Sequence, residues 1–290
     1  MSPGHSRSVL LAALAGAGLG IYALYEPRRF RLVTRDVEVG GRVPELSILH
    51  LSDFHMRAGS EPLQAFLARL PDQLATAPDL ILATGDLIED DGGIEPTVDA
   101  LCSLEARLGR FYVLGSHDYY QSKFRFPPSY LSGPREPQRT RPADTARLET
   151  GLQDKGWVAL TNRTEVVDVA EGTIRVAGVD DPFLDRHRTD HIGRVPTDVL
   201  AIGLTHAPDI VSEFLLAGFE LVLAGHTHGG QLRLPFGAPV TNCSLPSALA
   251  GGLHRIGDGW LHVSPGLGTS RFAPVRLGSR PEATLLRLRP

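Results

Sequence analysis

Five short pieces rich in histidine and aspartate carry the chemistry this chain offers. They are Asp53-Phe54-His55, Gly85-Asp86, Gly115-Ser116-His117-Asp118, Thr205-His206 and Gly225-His226-Thr227-His228-Gly229-Gly230. Five of the eleven histidines lie in them, so imidazole is concentrated where carboxylate is also present. That mixture suits borderline divalent ions such as Mn, Fe, Zn or Co better than Mg or Ca, which prefer oxygen alone. Two such ions about 3.5–4 Å apart can hold a phosphoryl oxygen, activate water near neutral pH and stabilise a leaving oxygen. One carboxylate must bridge the pair. Asp86, just ahead of the acidic Glu89-Asp90-Asp91, is the natural candidate. Alternation along an extended backbone would splay His226 and His228 apart, so they more plausibly serve different ions than chelate one.

Taken singly, most pieces have an ordinary explanation. Gly-Asp after a strand is usually a turn, and a lone Thr-His is more often a satisfied histidine at a strand end. Gly-His-Thr-His-Gly-Gly is harder to dismiss, because two histidines bracketed by glycine in an apolar context have little packing rationale. The placement of the whole set decides the matter. Each piece follows an apolar run, at Leu46–Leu51, Leu80–Ala83, Phe111–Leu114, Val199–Leu204 and Leu221–Ala224. Strand ends can deliver remote side chains to one edge of a sheet, which is where open α/β sheets bind ligands.

The order D-x-H, G-D, G-N-H-D, T-H and G-H-T-H-G-G resembles that of the calcineurin-like metallophosphoesterases. More narrowly, Leu-Ser-Asp-Phe-His and Ala-Gly-His-Thr-His-Gly-Gly-Gln are similar to the bacterial membrane-associated branch of YkuE-like proteins and lipid-precursor pyrophosphatases. The resemblance runs from about residue 45 to the C-terminus. It implies a four-layer α/β/β/α sandwich of two mixed sheets with flanking helices and the metal site across the top. It also implies two divalent metal ions, with Asp53, His55, Asp86 and His228 on one and Asp86, His206 and His226 on the other. His117 would stand near the leaving group or substrate phosphate. One position departs from the pattern: Ser116 occupies the place where the family usually has an asparagine ligand of the second metal. A hydroxyl is a poorer donor than an amide carbonyl, and the only asparagines, Asn162 and Asn242, lie far along the chain. Either Ser116 or water fills the position and both metals bind, the reading we favour, or the second metal is weak or His117 is drawn in as its ligand.

The spacing around these pieces predicts the elements that position them. Glu61–Leu70 and Pro96–Leu108 carry apolar residues at helical period, and Ala143–Lys155 also reads as a helix. Strand–helix alternation implies parallel pairing. Short strands are expected at Val158–Thr161, Glu165–Val169, Thr173–Gly178, Gln231–Leu234 and Trp260–Val263. Tyr119–Pro142, rich in Pro, Ser, Arg and aromatics, breaks the pattern; it is either a segment overhanging the site or a solvated surface loop.

A chain of 290 residues with 42% hydrophobic content can bury one large core. A formal net charge of −4 gives no electrostatic footprint for nucleic acid, so none is expected as a partner. Cys102 and Cys243 stand alone and imply no disulfide framework. At the N-terminus, Val9–Tyr25 is an uncharged, mostly apolar run preceded by Arg7 and followed by Glu26-Pro27-Arg28-Arg29. At the short end of the ~17–25 residues that span a bilayer, it reads as a single membrane anchor over residues 1–28. The competing reading is a signal peptide cleaved near Ala13-Leu14-Ala15. Residues 29–44 would connect the anchor to a metallophosphoesterase domain at 45–290. Arg28, Arg29, Arg31 and Arg35 after the run outnumber Arg7 before it, which favours a cytoplasmic catalytic domain.

The expectation is a metal-dependent hydrolase of phosphoric esters or pyrophosphates. For the anchored branch, the resemblance implies lipid-linked substrates such as UDP-2,3-diacylglucosamine. The competing readings are a catalytically weak metal-binding membrane scaffold, resting on Ser116, and a nucleotide or nucleic-acid phosphodiesterase.

Overall fold

The computed structural model describes residues 3–40, 45–124, 139–169, 172–233, 237–238 and 240–289, and the side chains from residue 13 onward. Among the described residues, twelve strands form two six-stranded sheets. The first sheet contains β1 (Arg31–Glu38), β2 (Leu46–Leu51), β3 (Leu80–Thr84), β4 (Gly109–Val113), β5 (Val158–Ala159) and β12 (Glu282–Arg289), in the order β1-β12-β2-β3-β4-β5. β2 to β5 run parallel, whereas β12 opposes β2. The second sheet contains β6 (Arg163–Val169), β7 (Gly172–Gly178), β8 (Leu200–Leu204), β9 (Leu221–Ala224), β10 (Gly252–Ile256) and β11 (Gly259–Val263), ordered β10-β11-β9-β8-β7-β6. β7, β8, β9 and β11 are parallel, and the edge strands β6 and β10 are antiparallel to their neighbours. Both sheets are mixed, as expected.

Sequence explains this layering. Every residue of β3, β8 and β9 is buried, the signature of strands covered on both faces. Alternation then sorts their side chains. Ile48, Leu80, Leu82, Ile202, Leu204, Leu221 and Leu223 face the space between the sheets. Leu49, Leu51, Ile81 and Ala83 turn outward against α2 (Glu61–Ala68), α3 (Leu70–Gln73), α4 (Ile94–Cys102) and α6 (Thr145–Asp154). Val222, Ala224, Leu261 and Val263 turn the other way, against Val211 and Phe214 of α7 (Val211–Leu216). The result is four layers, α/β/β/α.

Several expectations need correction. The helix predicted over Pro96–Leu108 begins earlier and stops at Cys102; the Ser103 hydroxyl donates to the Ala100 carbonyl at 2.7 Å as the chain leaves it. The strand expected at Gln231–Leu234 does not form among the described residues. Gly229, Gly230 and Gln231 have φ of 63°, 81° and 46°, and left-handed backbone cannot continue a ladder. Only an isolated bridge, Leu232 to Leu277, is made there. Of the segment expected to overhang the site, residues 125–138 lie outside the described residues. Its ends meet, because Gln121 N donates to the Arg141 carbonyl at 2.9 Å.

The N-terminal run is helical, forming α1 (Pro3–Tyr25). Among the described residues no helix is long and apolar enough to cross a membrane, so the expected span finds no support in the structure. Leu14, Leu19, Ile21 and Leu24 are exposed. The helix end, by contrast, is tied to the body. Arg276 N donates to the Ala23 carbonyl at 2.9 Å, and Gly278 N to the Glu26 carboxylate at 3.1 Å, with Glu26 itself buried. Removing residues 1–20 is therefore expected to leave the melting temperature unchanged. Removing residues 1–28 strands the buried Arg276 amide, at roughly 1–3 kcal/mol, and is expected to lower the melting temperature by several degrees. Equal melting curves for the two truncations would refute this.

Candidate metal centre

All five chemistry-bearing pieces leave the carboxyl ends of parallel strands: β2, β3 and β4 in one sheet, β8 and β9 in the other. The loops are zipped to one another by main-chain bonds. Asp53 N donates to Gly85 O at 2.9 Å, His55 N to Asp86 O at 3.0 Å and Gly225 N to His206 O at 2.9 Å. Tight turning at each strand end forces left-handed backbone at Asp53, His55, Asp86, His226 and His228, with φ from 43° to 70°. Such conformations cost energy and persist only where surroundings over-determine them. Gly115 allows a close approach, since a Cβ there would run into the Asp86 carboxylate and lie 2.8 Å from the His206 ring.

Six of the expected ligands converge. His206 Nε2 lies 3.3 Å and His55 Nε2 3.7 Å from the same oxygen, Asp86 Oδ2. His228 Nε2 is 3.1 Å from His55 Nε2 and 3.6 Å from Asp53 Oδ1. His226 Nδ1 is 3.3 Å from His206 Nε2. Asp53, His55 and His228 form one compact donor group, and Asp53, Asp86 and His206 form another. His228 belongs to the first group and His226 stands against His206 of the second, and left-handed turning rather than extended alternation separates them. Ser116 opens α5 (Ser116–Tyr119) and lines a cavity of about 460 Å³ together with His55, Asp86, His117, His226 and His228.

Neighbouring groups fix how these side chains present themselves, a part sequence reasoning missed. His55 Nδ1 is taken by the buried Glu89 carboxylate at 2.7 Å, His206 Nδ1 by the Thr84 carbonyl at 2.7 Å, and His226 Nε2 by the Asn242 carbonyl at 3.0 Å. Each outward nitrogen donates, so the other nitrogen of each ring is left to the cluster. Asp86 Oδ1 accepts from His117 N at 2.8 Å, which leaves Oδ2 between His55 and His206. Arg276, fully buried, directs Nη2 to His228 Nδ1 at 3.1 Å and to the Gly268 carbonyl at 2.6 Å. Asp118 accepts from Gly115 N, Leu87 N and Ile88 N and braces the turn that carries Ser116 and His117. Asp181, at the end of β7, is wholly buried, and its Oδ2 is without a partner among the described residues. The aspartates and glutamates were visible in the sequence. Nothing local marked Thr84, Asn242 or Arg276, which act through main-chain carbonyls or from remote loops.

The electrostatics call for positive charge. Burial pushes the Asp53 carboxyl up. Burial opposes ionisation of Asp86 too, yet His206 and His117 hold its carboxyl well below the usual range. Burial likewise disfavours charge on His206, but the Asp86, Asp53 and Asp181 carboxylates raise it well above an ordinary histidine. Burial lowers His226 to about 4, and burial with His55 and Arg276 beside it holds His228 well below its ordinary value. Buried carboxylates without a compensating cation are costly, and neutral imidazoles are ligands. The inward donor spacings, 3.1 to 3.7 Å, lie close to the roughly 3.3–3.6 Å edges of a tetrahedron around an ion bound at ~2.0–2.2 Å. The residues present fit divalent cations.

The family model described as calcineurin-like phosphoesterase matches residues 46–230. The uncharacterized metallophosphoesterase YkuE of Bacillus subtilis is 25% identical over 96% of this chain and 92% of its own length. The phosphodiesterase YaeI of Escherichia coli is 25% identical over 94% of this chain and 93% of its own. The phosphopantetheinyl hydrolase PptH of Mycobacterium tuberculosis superposes with a TM-score of 0.45 at 13% identity, over 80% of this chain and 95% of that one.

Two outcomes follow from this shell. Glu89→Ala frees His55 to rotate and is expected to weaken Mn²⁺ binding roughly 10–100-fold, read by equilibrium dialysis; unchanged binding would mean Glu89 does not orient the ring. Because His206 is held protonated above its ordinary value, a cation must displace that proton. Mn²⁺ affinity is therefore expected to rise with pH through neutrality and to flatten above the elevated His206 value. A flat profile would contradict this.

Proposed function

The chain belongs to the calcineurin-like phosphoesterases, and from that membership we propose that it hydrolyses a phosphodiester or pyrophosphate with two divalent metal ions. The observation that carries this reading is the approach of two histidines from different sheets to one oxygen, Asp86 Oδ2, 3.3 Å from His206 Nε2 and 3.7 Å from His55 Nε2. In this reading Asp53, His55, Asp86 and His228 hold one ion, and Asp86, His206 and His226 hold the other, with Ser116 beside it. Bound there, Mn, Fe, Zn or Co would polarise the phosphoryl oxygens and make water a nucleophile at neutral pH.

The remaining work falls to this chain's own groups. Asp86 joins the two donor sets and sets their spacing. His117 stands at the cavity, its Nδ1 2.9 Å from the Ser122 hydroxyl and 3.9 Å from the Glu89 carboxylate. Ser122 fixes the ring so that Nε2 can deliver a hydrogen bond or proton to the leaving oxygen. Burial and nearby His55 lower its proton affinity, which favours the neutral ring, whose Nε2–H is a hydrogen-bond donor. The same cavity is walled by Phe183, Leu232, Val240, Phe272, Pro274 and Val275. That wall supports a substrate with an apolar group beside its phosphate, a lipid-linked phosphoester or pyrophosphate among them. A second reading, a weakly active metal-binding scaffold, is favoured only by Ser116, whose hydroxyl is a poor replacement for an amide carbonyl.

Metal content and turnover together test the proposal. Asp86→Ala is expected to abolish phosphodiesterase activity and to lose most bound metal, measured by elemental analysis. Retention of both metals would defeat the bridging assignment. His117→Ala is expected to lower kcat by about 10²–10⁴ with metal content intact; loss of one metal equivalent would make His117 a ligand instead. Ser116→Asn is expected to raise activity at limiting Mn²⁺ and to change it little at saturation. Superimposable titrations would place residue 116 outside the second metal's shell, and inactivity of the metal-loaded wild type would favour the scaffold.

A further inference from the structure

Through the largely apolar layer between the two sheets runs a line of polar side chains that ends at Asp53. Alternation along β2 places His50 on the same face as Ile48, and along β3 places Thr84 with Leu80 and Leu82. On β11, His262 takes the face opposite Leu261 and Val263. All three are wholly buried. His262 Nδ1 lies 2.7 Å from His50 Nδ1, and His50 Nε2 lies 2.9 Å from Thr84 Oγ1. The Thr84 hydroxyl is 2.8 Å from Ser52 Oγ, which is 2.6 Å from Asp53 Oδ2. Four side chains from three strands and a strand end thus connect the interior of the second sheet to a carboxylate of the metal centre.

Hydrogen counting gives this line a direction. A metal-binding carboxylate has no proton to give, so the Ser52 hydroxyl must donate to Asp53 Oδ2. Ser52 Oγ then accepts from Thr84, and Thr84 Oγ1 accepts from His50. His50 therefore carries its proton on Nε2 and accepts at Nδ1, so His262 must carry its proton on Nδ1. The reverse direction would leave a hydroxyl lone pair facing a carboxylate at 2.6 Å. The far end agrees. His262 Nε2 is buried without a partner among the described residues, and in this tautomer it is a bare acceptor rather than a stranded N–H, the less costly of the two orphans. Both rings stay neutral, since burial holds His50 well below its ordinary value and lowers His262 to about 3.

At Asp53 the line has a definite effect. Oδ2 receives Ser52, and both oxygens receive His226 N at 3.1 Å. Oδ1 is the oxygen that faces His228 Nε2, at 3.6 Å. Gly225 makes the approach possible, because a Cβ there would collide with Ser52 Oγ and Asp53 Oδ2. We propose that His262, His50, Thr84 and Ser52 form a one-way hydrogen-bond line through the inter-sheet layer that orients Asp53 and selects Oδ1 as the oxygen offered to the metal. The four act as positioning residues. The inference rests on Asp53 being a metal donor, as the proposed function has it.

The test begins on the unaltered full chain, by ¹⁵N-detected NMR of the histidine rings. His50 is expected as the Nε2–H tautomer and His262 as the Nδ1–H tautomer, both neutral. Either ring in the opposite tautomer overturns the direction of the line. The second arm measures Mn²⁺ affinity by equilibrium dialysis for folded Thr84→Val, Thr84→Ser and Asp53→Asn. Val keeps the shape and removes the hydroxyl, so affinity is expected to fall roughly 10–100-fold, whereas Ser restores it. Equal affinities for the Val and Ser variants, with Asp53→Asn impaired, defeat the positioning role while leaving the ligand assignment intact. Unchanged affinity in Asp53→Asn defeats the ligand assignment itself.

Discussion

Everything at the strand ends depends on one crowded carboxylate. Asp86 Oδ2 is shared by His206 at 3.3 Å and His55 at 3.7 Å, on a carboxylate that is almost wholly buried. A charge in that position is tolerable only with cationic compensation, because its desolvation penalty is several kcal/mol. The raised His206 and the depressed Asp86 are two views of that demand. The left-handed backbone at five site residues serves the same end: it turns the chain sharply enough for carboxylates following β2 and β3 and imidazoles following β2, β8 and β9 to meet.

Around that point the molecule is organised as a shell of acceptors and donors that orient ligands rather than bind them. Glu89 does this twice over. It accepts from His55 Nδ1 through one oxygen, while the other accepts from the Ser270 hydroxyl at 3.0 Å and Arg271 N at 2.7 Å. These bonds, with His55 beside it, lower Glu89 to about 2 despite its burial, so it remains a carboxylate throughout the working range of pH. The Pro265–Ser279 stretch is drawn in by Arg276, whose Nη1 donates to the Pro265 and Ser279 carbonyls. The two terminal nitrogens of this buried arginine thus pin the loop through its carbonyls. Arg276 couples that loop to His228 and, through its main-chain N, to the last turn of α1.

The inter-sheet layer carries a second tension. Stacked sheets are ordinarily joined by interdigitating apolar side chains, and here Ile, Leu and Val do most of that. Replacing part of it with two histidines and a threonine is stable only if each polar atom finds a partner. Apart from His262 Nε2 they do. A polar line in an apolar layer fixes the register of β2, β3 and β11 against one another more sharply than apolar packing would, since slipping by one residue would bury each group unpaired.

Much of this was legible in the chain. Apolar runs ending in Asp, His and Gly identified β2, β3, β8 and β9, because strands buried on both faces must be apolar and only their ends are free to carry ligands. The same residues announced the six converging donors, and the parallel order followed from strand–helix alternation. Other features were not legible, for identifiable reasons. β12 pairs with β1 across the length of the chain, and a partner some 250 residues away leaves no local periodicity. The Gln231–Leu234 strand failed because three successive left-handed residues are a tertiary demand of the His226–His228 turn, not a propensity. Asn242 meets His226, and Thr84 meets His206, through carbonyl oxygens, which every residue possesses, so no side-chain type could mark those two contacts. Sequence determined which groups could do chemistry, because residue type sets donor chemistry. Tertiary structure alone decided which nitrogen and which oxygen each group offers, because that choice is made by hydrogen bonds from residues remote in the chain.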